Sequence, residues 1–305
     1  MPLNDTIMRQ LSLEEKSEII KSYQEGVAAN ILKKRFKLQF QDIKAILIEH
    51  GITPKTQRES RKSYKYNESY FEIIDTPEKA YWLGFIYADG FITRKTNGSA
   101  VFGLTLAEEE PLIKLNQCLE SDKPIGKYKK VNGYNPNSVE YKLAFCSDKM
   151  VSDLEKHGCV ERKTFKLKFP NLDSGLISHF IRGYFDGDGS VFLHIQKANN
   201  TEYIMLGVTI CGIKSFLDDL SKHIGFENYI YKDKRKETDC YSIKLASNIG
   251  CLKLYHYLYS NANNMYLTRK KNKFDNFIKD RGSTTTISNP IYGDAEYKKL
   301  CYIED

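Results

Sequence analysis

Two phrases of the 305-residue chain, LGFIYADG (83–90) and IRGYFDGDG (181–189), end in the same Asp-Gly step, and their aspartates, Asp89 and Asp188, stand 99 positions apart. Each phrase closes an apolar run that reads as a helix. Each also sets small residues four apart, Gly84 with Ala88 and Gly183 with Gly187, which places them on one helical face. Small residues on a shared face let two backbones approach closely, so the phrases predict two helices packed side by side. The glycines after the acids, Gly90 and Gly189, suit the left-handed position that stops a helix.

The surroundings repeat as well. The first helix is expected to start at Thr76-Pro77, an N-cap followed by proline at the first helical position, and the second at Asp173-Ser174. A strand pair follows each helix (FIT…SAVFGLTLA and SVFLHI…YIMLGVTIC), then an amphipathic helix. Two more strand-like runs come next, 124–131 with 139–147 and 226–232 with 241–247, and then a last helix. Each copy closes on a basic phrase, ERKTFK or LTRKKNK. A period near 100 residues in the order αββαββα is not a solenoid. It predicts an α+β protein in which residues 73–170 and 171–282 are two copies of one unit, paired about a pseudo-twofold axis.

Upstream, residues 11–52 read as three short helices: LEEKSEIIKSYQ broken at Glu25-Gly26, then VAANILKKRF, then FQDIKAILIEHG. Helix, turn, helix, turn, helix is the helix-turn-helix plan, so residues 1–55 are expected to form a small all-α DNA-binding domain. Its third helix would enter the major groove, with Gln39, Gln41 and Lys44 as the candidate readers. Residues 56–72 are polar and basic and read as a linker, with Arg58, Arg61 and Lys62 placed to follow a DNA backbone. Residues 283–305 read as a C-terminal tail.

Composition narrows the classes. With 41% hydrophobic residues the chain can bury a core. No run approaches the ~20 apolar residues of a membrane span, and the start lacks the apolar centre of a signal peptide. Seven scattered cysteines without a CxxC pair, and no HExxH, argue against structural zinc, a disulfide framework and a zinc hydrolase. A reducing, intracellular setting (cytoplasm, nucleoid or organelle matrix) is expected. The net charge of +7 gathers at 58–66, 127–130, 232–236 and 269–273, which points to a polyanionic partner. Lys129, Lys130, Arg235, Arg269 and Lys271 are the candidate phosphate contacts in the last three clusters.

A carboxylate at a helix C-terminus sits at the wrong end of the dipole, at a cost of a few tenths to about 1 kcal/mol. Two such carboxylates side by side also repel each other. A divalent, oxygen-preferring cation relieves both conflicts. Two carboxylates with hard metal ions suit in-line hydrolysis of a phosphodiester.

The two phrases, with the lead-in FEIIDTPEKAYWLGFIYADG, resemble the paired signature motifs of the LAGLIDADG homing endonucleases, and the similarity runs over roughly residues 70–280. The resemblance implies a single-chain, two-motif nuclease acting as a monomer on a long double-stranded DNA site. The motif helices would form the central interface. Asp89 and Asp188 would bind Mg²⁺, or Mn²⁺ in its place, helped by the backbone carbonyls of Ala88 and Gly187. Each repeat's four-stranded sheet would lie in the major groove, and both strands would be cut across the central minor groove to leave 3′ overhangs. It further implies a lysine late in each repeat near the cleavage centre. Those are Lys163 and Lys270, each preceded by an arginine, with Lys271 able to replace Lys270.

The chain departs from the archetype in one place. Tyr87 stands where the motif has its first aspartate, which the second copy keeps as Asp186. Asp186 is expected to be a secondary or solvated carboxylate. No cysteine or serine block opens the chain and it ends in YIED, so a free-standing or intron-encoded nuclease of a mobile element is expected rather than an intein. Two other functions use the same scaffold: a DNA-binding transcription regulator, in which the acids are lost, and a maturase that binds intron RNA. The retained aspartates favour the enzyme.

Overall fold

The computed structural model describes residues 11–54, 64–94, 96, 98–130, 136–161, 167–198, 201–234 and 239–282. The chain divides into two compact units, residues 1–63 and 64–305.

In the first unit three helices follow one another, α1 (Leu13–Gln24), α2 (Ala29–Phe36) and α3 (Phe40–Glu49). Ser12 opens α1 with a capping box: its hydroxyl accepts from the Glu15 amide at 3.1 Å, and the Glu15 carboxylate accepts from the Ser12 amide at 3.0 Å. Lys37, at φ 54°, turns the chain between α2 and α3. The Asp42 carboxylate then accepts from the Gln39 amide at 2.8 Å and secures the start of α3. Ile19, Leu32, Phe36, Leu38, Ile43, Ile46 and Leu47 build a core belonging to this unit alone. Gln41, Lys44 and Ile48 line the exposed face of α3.

The second unit carries the duplication. Its first copy runs α4 (Pro77–Asp89), β1 (Gly90–Arg94), β2 (Ala100–Leu106), α5 (Glu110–Cys118), β3 (Gly126–Lys129), β4 (Val139–Cys146) and α6 (Asp148–Lys156). The second runs α7 (Ser174–Asp188), β5 (Gly189–Ala198), β6 (Thr201–Gly212), α8 (Lys214–Ile224), β7 (Ile230–Lys232), β8 (Tyr241–Leu245) and α9 (Asn248–Tyr259), and α10 (Thr268–Gly282) follows. Two antiparallel four-stranded sheets result, in the orders β1-β2-β4-β3 and β5-β6-β8-β7. Their registers correspond: Gly90 lies opposite Leu104, and Gly189 opposite Ile210. Period-2 alternation sends Phe102, Leu104, Leu143 and Phe145 of one sheet, and Leu206, Val208, Ile210 and Ile243 of the other, into one shared core.

Helix α4 is buried from Ala80 to Tyr87, all the way round, which a helix tolerates only at the centre of a fold. Its start follows the sequence, with the Thr76 hydroxyl accepting from the Lys79 amide at 3.3 Å and Pro77 next.

The expected linker is shorter than its composition suggests. Tyr70 and Phe71 are buried, the Tyr66 hydroxyl donates to the Cys146 carbonyl at 3.0 Å, and the Asn67 amide donates to the Leu119 carbonyl at 2.8 Å. Residues 64–72 therefore belong to the larger unit, because their aromatic side chains find a core. Arg58, Arg61 and Lys62 lie outside the described residues, as do Lys163, Arg235 and the 283–305 tail. Among the described residues no helix is long and apolar enough to cross a membrane.

Candidate active site

Helices α4 and α7 cross at their glycines. A Cβ on Gly84 would lie 2.0 Å from the Phe180 carbonyl oxygen and 2.8 Å from the Tyr184 nitrogen. A Cβ on Gly183 would lie 1.9 Å from the Tyr81 carbonyl oxygen and 2.8 Å from the Phe85 nitrogen. The pairs Gly84/Gly183, Tyr81/Phe180 and Phe85/Tyr184 are each 99 positions apart, the same offset as Asp89/Asp188. The crossing is thus its own image under a pseudo-twofold. Farther along, a Cβ on Gly187 would lie 2.2 Å from the Ala88 Cβ and 3.3 Å from Asp89 Oδ2. The small-residue face therefore runs to the helix ends, and it brings the Asp89 carboxylate against the backbone beside Asp188.

The glycines after the acids play a different part from the expected one. Gly90 (φ −71°) and Gly189 (φ −89°) are extended, not left-handed, and the chain passes straight into β1 and β5. What glycine supplies is room. A Cβ would lie 2.6 Å from the Ile86 carbonyl oxygen at Gly90, and 2.4 Å from the Phe185 carbonyl oxygen at Gly189.

Neither motif helix has a basic residue in its last turn. For α7 the cation comes from α10. Lys270 is 2% exposed, and its ammonium donates to the carbonyls of Phe185 (2.7 Å), Asp186 (2.6 Å) and Gly187 (3.2 Å). These carbonyls lie in the last turn of α7, at the negative end of the dipole; that of Phe185 also accepts from the Gly189 amide. Burial pulls the Lys270 pKa down to about 8, while the charges of Asp186, Asp89 and Asp188 push the other way. Lys270 thus sits in the field of both motif aspartates. Lys271 turns elsewhere, to the Asp275 carboxylate at 2.8 Å, and Arg269 pairs with Glu108. Of the two lysines left open by the sequence, Lys270 is the one brought to the helix ends.

Asp186 is not solvated. It is 1% exposed, and its Oδ2 accepts from the Leu267 amide at 2.7 Å and from the Tyr81 hydroxyl, across the helix interface, at 2.9 Å. Burial pushes its pKa up to about 6, against the pull of Lys270 and of these hydrogen bonds. Tyr87, at the matching position of α4, is buried too and donates to the His157 carbonyl. Beside Asp186 and Tyr81 lies Arg182, 1% exposed, which donates to the carbonyls of Met265 (2.7 Å) and Leu258 (2.9 Å) and meets His179 Nδ1 at 2.9 Å. Sequence reasoning passes over Arg182 and Tyr81. The available signal is an arginine inside an otherwise apolar, twofold-related helix.

Each sheet keeps one face free of the core. On the first, Thr93 is exposed, and Thr105, Lys142 and Tyr128, the last 57% exposed, line a cleft of about 650 Å³. On the second, Ser190, Phe192, Gln196 and Lys244 are exposed beside Tyr231. The predicted pair Lys129 and Lys130 splits: Lys129 lies opposite Val139 in the β3–β4 ladder, whereas Lys130 binds Glu140 at 2.9 Å. Lys130 reaches the first open face through Glu140, which lines the same cleft as Lys142, and Lys142 and Lys244 are further lysines on the open faces. The charge clusters do not reveal them because each is a single lysine in an alternating strand.

Residues 176–271, which hold α7, the second sheet and Lys270, match the family model described as a LAGLIDADG-like domain. No curated protein matches the chain. Solved structures resemble it weakly. The K262A mutant of I-SmaMI is 12% identical, with 74% of this chain and 98% of that chain covered and a TM-score of 0.48. The I-LtrWI LAGLIDADG homing endonuclease bound to target DNA is 13% identical, with 77% and 96% covered and a TM-score of 0.47. LAGLIDADG meganuclease I-CpaMI bound to uncleaved DNA is 13% identical, with 74% and 98% covered and a TM-score of 0.46. The family match and the element order of the second copy together establish that the chain carries a LAGLIDADG-like domain over residues 176–271.

Proposed function

We propose that the chain is a site-specific, homing-type endonuclease that makes double-strand breaks in DNA with the help of a divalent cation. One observation carries this reading: two aspartates end two helices that abut at Gly187 and Ala88, and a buried lysine ammonium stands in the field of both acids. Among the described residues no group of three or more His, Cys, Asp or Glu could hold a metal. A cation here would therefore rest on Asp89 and Asp188, with the Ala88 and Gly187 carbonyls nearby, and take its other oxygens from water and phosphate. That donor set fits Mg²⁺, which keeps waters and commonly binds through one or two carboxylates plus substrate phosphates. Mn²⁺ shares the preference for oxygen.

When bound, such an ion activates water and screens charge at the scissile phosphate. The chain's own residues do the rest. Asp89 and Asp188 place one carboxylate from each half at the centre of the twofold. Lys270 adds a fixed positive charge where the phosphate's negative charge develops. Its three hydrogen bonds go to carbonyls, so it acts from a set position; the 3.2 Å bond to Gly187 is the longest. The open sheet faces, with Lys142, Lys244, Tyr128 and Tyr231, supply cations and aromatic edges to a groove.

Exposure to a library of random-sequence duplexes with Mg²⁺, followed by sequencing of the broken ends, tests the function. Staggered double-strand breaks at one long sequence, abolished by a chelator, are expected. Tight binding with no breakage in any divalent cation would overturn the nuclease reading in favour of a regulator.

The 1–63 unit is proposed as an additional DNA reader through the Gln41, Lys44 and Ile48 face of α3. Its deletion is expected to weaken DNA binding and to lower the log–log salt slope by about 0.9 for each phosphate that the unit neutralises. An unchanged affinity and slope in a salt titration would remove that role.

A further inference from the structure

The proposed chemistry asks Lys270 to be held in place, and the structure shows what holds it. Lys270 lies in the first turn of α10, where its amide donates to the Leu267 carbonyl at 3.0 Å. The Leu267 amide, on the other side of the same residue, donates to Asp186 Oδ2 at 2.7 Å. From there the lysine side chain reaches back to the carbonyls of residues 185–187, the segment that carries Asp186. The circuit is closed: the carboxylate fixes the backbone from which the lysine starts, and the lysine ends on the backbone from which the carboxylate starts. Tyr81 joins from the other repeat, with its hydroxyl on the same carboxylate oxygen. Every member is buried, and an unsatisfied buried group costs about 1–3 kcal/mol, so the ring is hard to open at one point alone. Among the described residues the first repeat shows no such ring: Tyr87, the counterpart of Asp186, carries no carboxylate and donates its hydroxyl to the His157 carbonyl.

We propose that Asp186 is a positioning residue: by accepting the Leu267 amide it sets the start of α10, and so places the Lys270 ammonium at the end of α7. This rests on the nuclease reading for its kinetic consequence but not for its geometry. It predicts an asymmetry, in which the second repeat's lysine is locked by its own motif helix.

The test uses the full chain with Asp186→Ala and Asp186→Asn, alone and combined with Lys270→Met. Amide hydrogen exchange at Leu267 should speed up about tenfold or more in Asp186→Ala and stay slow in Asp186→Asn, whose amide oxygen still accepts. On a cleavable duplex at saturation, Asp186→Ala should slow cutting about a hundredfold, as a misplacement of ~1 Å does, with DNA affinity unchanged. Asp186→Asn, which keeps the acceptor but not the charge, should recover about tenfold or more of that loss. In the Lys270→Met background Asp186→Ala should cause no further loss. Should Asp186→Ala fail to fold, Leu267→Pro removes the donor from the other side and is expected to show the same non-additivity with Lys270→Met. Unchanged exchange at Leu267, or losses that multiply with Lys270→Met, would overturn the proposal. A wild type that cuts nothing would instead defeat the nuclease reading, and the exchange experiment would still decide the placement of α10.

Discussion

Gly183→Ala is expected to destabilise the 64–305 unit by about 4 kcal/mol or more, whereas Gly175→Ala in the same helix should stabilise it by about 0.5–1 kcal/mol. The same methyl group meets opposite surroundings. At Gly175, exposed in the first turn of α7, nothing lies within 4 Å of the new Cβ, and alanine only removes the conformational freedom of glycine. At Gly183 the Cβ would stand 1.9 Å from a backbone oxygen of α4, which no side-chain rotation can clear. The two helices must then separate, and overpacking of this kind commonly costs about 1–3 kcal/mol even where side chains can yield. Here Gly84 makes the twofold-related contact, so parting the helices opens both at once. Gly84→Ala should match Gly183→Ala. Urea midpoints of the three variants check this. A neutral or stabilising Gly183→Ala would mean that the close crossing is not what holds the halves together.

Much of this architecture is legible in the sequence because duplication doubles every signal. The four-residue spacing of small residues names a helix face, and a second copy at the same offset names the partner face. Alternation in the strands fixes which residues enter the core, since period 2 leaves no choice once one face is apolar. Periodicity does not report what a residue meets, and the differences between expectation and structure lie there. Gly90 and Gly189 look like left-handed stops. They are extended, and they are glycine because a methyl would strike the preceding helical turn. Asp186 looks like a solvated acid beside a metal site, because a carboxylate two residues before a helix end carries no mark of burial. Its partners, Leu267 and Tyr81, come from 81 and 105 positions away. Lys270 and Lys271 are neighbours in sequence but about 100° apart on a helix, so only tertiary contacts separate a lysine at the motif helices from one that pairs with Asp275. Tyr66, Tyr70 and Phe71 are hidden in a basic stretch whose overall polarity masks three side chains with a place in the core.

Asp89→Asn and Asp188→Asn are each expected to lower double-strand cleavage by about a thousandfold or more while leaving the fold intact. Asparagine keeps the size of the side chain and one oxygen but loses the charge that would hold a cation. Stability should not fall with activity. Each aspartate ends a helix, where its charge opposes the dipole, while the Lys270 ammonium attracts it; the two effects oppose each other, so removing the charge should change stability by no more than about 1 kcal/mol. A retained thermal midpoint with a loss of cutting is the pattern of a group kept for function rather than for the fold. DNA affinity measured without a divalent cation should hold or rise, since a negative charge near phosphate has gone.

The most direct measurement is strand-resolved cleavage of one target duplex, each strand labelled separately, by the wild type, Asp89→Asn and Asp188→Asn in the presence of Mg²⁺. Two staggered cuts by the wild type, and loss of double-strand breakage in both variants with binding and folding retained, is the predicted result. Undiminished cutting of both strands by either variant would contradict the assignment of Asp89 and Asp188 as a shared catalytic pair.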